Sequence, residues 1–199
     1  MSATTTIGFA MTGSFCTFES VFREMERLVA RGYELLPILS HNAATLDTRF
    51  FSAAAVRERV RSITGRDPLC ALAEVEPIGP KRLTDLYLIA PATGNTLAKL
   101  ANGVYDTPAL LGAKAHLRNE RPLVLAVSTN DGLGAAARNI GKLLGDRNVF
   151  FVPFAQDDPL RKPRSLVARF PLIPKAIAGA LCGVQIQPIL ARDTEDEGA

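Results

Sequence analysis

The chain has 199 residues, of which 47% are apolar and 22% charged, with a formal net charge of +3 at pH 7. That length and balance fit one globular domain with enough apolar material for a full core. Lys and Arg are scattered apart from Arg161, Lys162 and Arg164, which argues against bulk nucleic-acid binding, and no apolar run reaches the length of a transmembrane helix.

In chain order, the sequence predicts a strand over Thr5–Met11 and an amphipathic helix over Thr17–Arg31, whose Phe18, Val21, Phe22, Met25 and Leu28 share one face. The opening MSATTTIGFAM lacks the charged start and long apolar run of a signal peptide. A second strand is expected over Tyr33–Ser40, a loop at Ser40-His41-Asn42, and a helix over Ala53–Ser62 capped by Ser52. A third strand is expected over Leu69–Val75, then a loop over Val75–Leu83 broken by Pro77, Gly79 and Pro80. Strands over Asp85–Ala90 and Pro122–Ser128 flank helices at Thr96–Asn102 and Pro108–Leu117. The stripe Leu133, Ala136, Ala137, Ile140 and Leu144 predicts another helix, followed by a strand over Val149–Phe154, a polar loop over Gln156–Arg164 and a last helix over Ile173–Leu181. The tail Arg192–Ala199 is acidic and is expected to be disordered, leaving one domain over 1–191.

The runs YLIAP, LVLAV and VFFVPF show almost no polar alternation, as strands covered on both faces do. Repeated strand–helix–strand units mean right-handed crossovers and a mainly parallel sheet. The expected architecture is therefore a three-layer, Rossmann-like or flavodoxin-like α/β fold with helices on both faces. Cys16, Cys70 and Cys182 are far apart and form no C-x-x-C pair, so they are expected to be reduced, mostly buried thiols of a cytosolic protein, with no metal site.

Open parallel sheets bind ligands at the carboxyl ends of their strands, where strand order reverses. For the order 3-2-1-4-5-6 the crevice lies between the first and fourth predicted strands. The loops there are Thr12-Gly13-Ser14-Phe15 and Pro91-Ala92-Thr93-Gly94-Asn95-Thr96, both small, polar and glycine-bearing. Gly13 lets backbone amides approach an anion and Ser14 adds a hydroxyl at a helix start. Gly8 and Gly13 have the glycine spacing of a Walker loop, but Ser14 stands where its lysine belongs, and no G-x-G-x-x-G fingerprint follows the first strand. A monophosphate fits better than a triphosphate or dinucleotide; taken alone, the first loop is a plain strand–helix turn. Asn95 can donate and accept at a heterocycle edge, or Asn95 or a threonine can cap the helix. Ser40-His41-Asn42 and Ser128-Thr129-Asn130-Asp131-Gly132 open on the same edge. His41 and His116 are the only histidines, each more readily structural than catalytic, and Asp157-Asp158 reads as solvated turn carboxylates. No Ser-His-Asp set or G-x-S-x-G elbow is present.

At these loops the sequence resembles the flavoprotein family that includes flavin-dependent cysteine decarboxylases: APATGNTLAKLANGVYD at Ala90–Asp106 is similar to its signature, and Thr12–Ser14 and Ser40 match its phosphate-binding positions. The segments Thr12–Thr17, Asp47–Phe50, Leu117–Pro122, Ser128–Gly134, Val152–Pro159 and Ser165–Ala168 together resemble the dipicolinate synthase B subunits within that family. The resemblance implies flavin mononucleotide (FMN) as cofactor, with Thr12, Gly13, Ser14, Phe15, Ser40, Pro91, Ala92, Thr93, Gly94, Asn95, Ser128 and Thr129 at its site. It implies a homo-oligomer in the cytoplasm of a sporulating mother cell. It further implies a dehydrogenase-like A subunit that carries NADP or NAD, and joint formation of pyridine-2,6-dicarboxylate by loss of water and two electrons. For a dianionic substrate, Arg49, Asn130 and Lys162 are the candidate binding residues, against solvent-exposed charge for the two cations. The decarboxylases carry a catalytic histidine where this chain has Pro77. Decarboxylation of a peptidyl-cysteine or phosphopantothenoylcysteine, and a non-catalytic flavin-binding or regulatory subunit, are the alternatives.

Overall fold

The structure is a computed structural model that describes residues 4–191, so the tail expected to be disordered over 192–199 lies outside the described residues. β1 (Thr6–Met11) leads through a 3-10 turn, Phe15–Thr17, into α1 (Phe18–Ala30); β2 (Glu34–Leu39) is followed by α2 (His41–Thr45), α3 (Ala53–Thr64) and α4 (Leu72–Val75). β3 (Leu86–Ala92) precedes α5 (Gly94–Ala101) and α6 (Pro108–Leu117), and β4 (Leu123–Thr129) precedes α7 (Ala137–Leu144). β5 (Val149–Phe151), β6 (Phe154–Ala155) and β7 (Leu166–Ala168) lead to α8 (Ile173–Leu181).

β1 lies between β2 and β3, with Ile7 opposite both Leu35 and Leu86, and the parallel pairing continues through β4 to β5. Strand order thus reverses between β1 and β3, at the point expected from sequence. Every residue of β3 is buried, as a central parallel strand covered on both faces must be. α1 turns Phe18, Val21, Phe22, Met25 and Leu28 into the core and packs against α3 and α8; α5 packs against α6 and α7. Ser52 caps α3 by accepting the Ala55 amide at 3.2 Å, and Gly65, with φ +68°, ends that helix in the left-handed conformation that favours glycine.

Several sequence expectations are corrected. The third strand is reduced to one bridge between Leu69 and Ile38. Beyond it, Glu74 Oε2 accepts the Cys70 and Ala71 amides at 2.7 and 2.9 Å, which starts α4 instead of extending the sheet. The loop over Val75–Leu83 opens with a 3-10 turn at Glu76–Ile78. The strand expected over Val149–Phe154 is interrupted before Phe154: Pro153 cannot donate to a ladder, and the chain passes from the parallel pairing of β5 to the antiparallel pairing of β6 with β7. β7, missed from sequence, pairs antiparallel with the end of β4, so that Ser128 faces Val167 and Thr129 faces Leu166. In α7 the core face is Ala136, Ile140 and Leu143, while Leu133 and Leu144 are exposed. The cysteines are not buried: Cys16 and Cys182 are exposed and Cys70 half-buried.

Candidate functional site

The loops after β1, β3 and β4 form the walls of a cavity of about 960 Å³, and a second cavity of about 370 Å³ lies between the loops after β1, β2 and β3. The two share Gly13, Thr93 and Asn95.

The loops are tied to each other first. Thr12 Oγ1 donates to the Pro91 carbonyl at 2.6 Å and accepts the Thr93 amide at 3.2 Å, which locks the β1 loop to the β3 loop. The Ser14 and Ser128 hydroxyls lie 2.7 Å apart and join the β1 and β4 loops. Thr93 is the N-cap of α5: its Oγ1 accepts the Thr96 amide at 3.2 Å and pairs with Thr96 Oγ1 at 2.8 Å. Asn95 is therefore not the cap. It is exposed, and its side chain makes no hydrogen bond among the described residues.

Two glycines separate packing from ligand approach. A Cβ at Gly94 would sit 2.7 Å from Thr129 Oγ1, so any other residue there would push the Thr129 side chain aside where the β3 and β4 loops meet. A Cβ at Gly13 would meet only Phe15 and Asn42 side chains, at 3.6 and 3.8 Å, which is ordinary contact, and the backbone there is not in the left-handed region. Neither packing nor conformation requires glycine at 13. The missing side chain leaves the Gly13 backbone open to a ligand, beside the Asn95 amide that no other described residue engages, and a cradle of that kind fits FMN. Gly8, the other glycine of the Walker-like spacing, is a packing residue whose Cβ would fall 2.6 Å from the Tyr87 ring.

Of the residues singled out from sequence, Ser14, Phe15, Gly94, Ser128 and Thr129 line the larger cavity, Thr12 and Ser40 the smaller. Ser40 caps α2 by accepting the Ala43 amide at 3.3 Å, so the loop expected at Ser40-His41-Asn42 is a helix start. Pro91 and Ala92 line neither cavity; both are buried in β3, and Pro91 contributes its carbonyl to Thr12. Arg49, Asn130 and Lys162 all reach the larger cavity. Thr48 Oγ1 accepts the Phe50 and Phe51 amides at 3.2 Å each, a tight turn that presents Arg49 and Phe50 outward with the guanidinium 4.8 Å from the ring centroid. Arg49 has no carboxylate partner among the described residues, whereas Lys162 Nζ binds Asp157 Oδ2 at 2.8 Å, an interaction that raises the pKa of the ammonium. Asp131 is occupied with the Ala135 amide at 3.1 Å.

Sequence reasoning missed Cys16, Asn139 and Ser165 at the larger cavity and Lys99 and Thr107 at the smaller. Ser165 arrives with β7, which no sequence pattern announced. Lys99 was within reach, because it lies four residues after Asn95 on the same helical face. Its Nζ binds both oxygens of Asp106, at 2.8 and 2.7 Å, and the Lys99 ammonium holds the Asp106 carboxyl below its ordinary pKa. Pro77 sits in the 3-10 turn Glu76–Ile78 and lines neither cavity. His116 is remote: it is buried, with Nδ1 2.8 Å from Thr84 Oγ1 and Nε2 3.0 Å from the Pro122 carbonyl. That carbonyl can only accept, so Nε2 carries the proton and Nδ1 accepts from Thr84.

Comparison with known proteins places this geometry. The model of the flavoprotein family matches residues 1–155. The dipicolinate synthase B subunit of Bacillus subtilis (strain 168) is 45% identical over 187 residues, covering 94% of each chain. The crystal structure of the dipicolinate synthase B subunit from Bacillus halodurans C superposes with a TM-score of 0.88 at 43% identity, over 96% of this chain and 97% of that one. The FMN-dependent cysteine decarboxylase SpaF, 21% identical, shares the fold with a TM-score of 0.65 over 90% of this chain and 98% of its own. The mainly parallel sheet with helices on both faces is the Rossmann-like α/β fold of these flavoproteins.

Proposed function

This chain belongs to the flavoprotein family, beside the dipicolinate synthase B subunits, and from that premise we propose that it binds FMN and acts with a dehydrogenase-like A subunit to form pyridine-2,6-dicarboxylate. The observation that carries the reading is Gly13, a glycine that neither packing nor backbone conformation needs, at the junction of two cavities at the switch point of the sheet.

Bound there, the flavin would supply two-electron redox chemistry. The chain itself offers the phosphate and ribityl groups the hydroxyls of Ser40, Thr93 and Thr96 beside the Gly13 backbone. Asn95 and Asn130 offer amides to the ring or to a carboxylate of the substrate. Arg49 is the larger cavity's cation without a carboxylate partner among the described residues, and its planar fork suits a carboxylate. The Phe50 ring beneath it offers a flat apolar face to a planar, aromatising substrate. Lys162 is a weaker candidate, because Asp157 already neutralises it.

The nicotinamide belongs on the partner, since no dinucleotide fingerprint follows β1. A homo-oligomer in the mother-cell cytoplasm is part of the same reading, and no helix among the described residues is long and apolar enough to cross a membrane. Cysteine decarboxylation is the weaker alternative: the resemblance sets Pro77 against the decarboxylases' histidine, and the one histidine at either cavity among the described residues, His41, lies exposed on the smaller one. The test is ultraviolet detection of the aromatic product with each subunit alone, with both, and with FMN added or stripped. Product is expected from the pair only, with a loss on Arg49→Ala. Full product formation by the A subunit alone would contradict the reading.

A further inference from the structure

We propose that Lys99, positioned by Asp106, is the cation that recognises the phosphate monoester of the ligand in the smaller cavity. The inference rests on the flavin reading above and deepens it.

Ser40 Oγ accepts the Ala43 amide, and its own proton is given to no acceptor among the described residues. Thr107 Oγ1 accepts the Leu110 amide at 3.3 Å, and its proton is likewise spare. The Thr93 and Thr96 hydroxyls share one hydrogen bond between them, which leaves the second of their two protons for a ligand. An ammonium has three N–H groups; two of those of Lys99 go to the two oxygens of Asp106, and the third is unassigned. Four spare donors therefore surround one cavity, and no aspartate or glutamate among the described residues lines it. A ligand that satisfies them must carry several strong acceptors and negative charge, as a phosphate monoester does.

Asp106 does not line the cavity, so it holds the ammonium from outside. The pair also spans the turn between α5 and α6 that brings Thr107 to the cavity wall. Lys99 thereby connects a positioning ion pair to the ligand, with Ser40 approaching from the β2 side.

The test is a fluorescence-quenching titration of wild type, Lys99→Met and Lys99→Arg with FMN and with riboflavin, which lacks the phosphate. Lys99→Met should weaken FMN about tenfold, the order of one charge-assisted hydrogen bond, and leave riboflavin within about twofold. Lys99→Arg should restore most of the FMN affinity, and inorganic phosphate should compete with FMN in wild type but only weakly in Lys99→Met. Equal weakening of both flavins by Lys99→Met, or of neither, would overturn the lysine's role while leaving the flavin reading in place. Failure of wild type to bind either flavin would overturn both.

Discussion

The two ends of the sheet are both polar, but they treat their polar groups differently. At the amino end, Thr6 donates its amide to Asp85 Oδ2 at 2.9 Å, and Thr84, His116 and the Pro122 carbonyl form a continuous buried chain. Arg121 adds hydrogen bonds to the Thr84 and Arg82 carbonyls beside Asp85. At the carboxyl end, the deep hydroxyls of Thr12, Ser14 and Ser128 tie loops together, while Asn95, Asn130 and Arg49 have no polar partner among the described residues. Satisfied groups hold a fold; unsatisfied groups gathered around a cavity are available to a ligand. That difference supports the proposed site at the carboxyl end.

The largest effect should come from breaking the satisfied end. His116→Ala leaves the Thr84 hydroxyl and the Pro122 carbonyl without their partner in a buried site, and roughly 2–4 kcal/mol of stability should be lost. Denaturant unfolding measures it, and FMN affinity of the folded fraction should stay the same.

The same residue gives a pH signature. Burial lowers the His116 pKa from 6.5 to about 4, against the opposing hydrogen bond to the Pro122 carbonyl. The folded form is neutral, so between pH 6.5 and about 4 the unfolded chain binds more protons and stability falls as pH falls. A loss on the order of 3 kcal/mol is expected across that window, and a flatter profile in His116→Gln.

A smaller, two-sided effect is expected at the loop junction. Gly94→Ala forces a Cβ against Thr129 Oγ1 and should cost about 1–2 kcal/mol while also weakening FMN, because the two loops it separates both line the larger cavity. Loss of stability with full FMN affinity would mean that the junction serves folding only.

Much of this was legible in the sequence because buried parallel strands announce themselves as unbroken apolar runs. The runs YLIAP and LVLAV became β3 and β4, and the helix expected over Pro108–Leu117 has the bounds of α6. The common doubly wound order put the crevice between the first and fourth predicted strands, and β1 and β3 are neighbours there. What failed were features set by single side chains or distant partners. Glu74 turned a β-like run into a helix start by reaching back to two amides. β7 has three residues and exists because the end of β4 is there to pair with it. At the site, the loops were readable as small polar segments, but the role of each member was not. Thr93 rather than Asn95 is the cap, and Lys99 is brought to the smaller cavity by a helical turn and held by Asp106.

The most direct test of the contrast between the two ends is a paired measurement on wild type and Gly13→Ala: FMN affinity by calorimetry and melting temperature without ligand. Because a Cβ at 13 meets only ordinary contacts, melting should be unchanged or slightly raised, as when a glycine in a permitted conformation becomes alanine, while FMN affinity falls about tenfold or more. A lower melting temperature with unchanged FMN affinity would contradict the account, since Gly13 would then serve the fold and not the ligand.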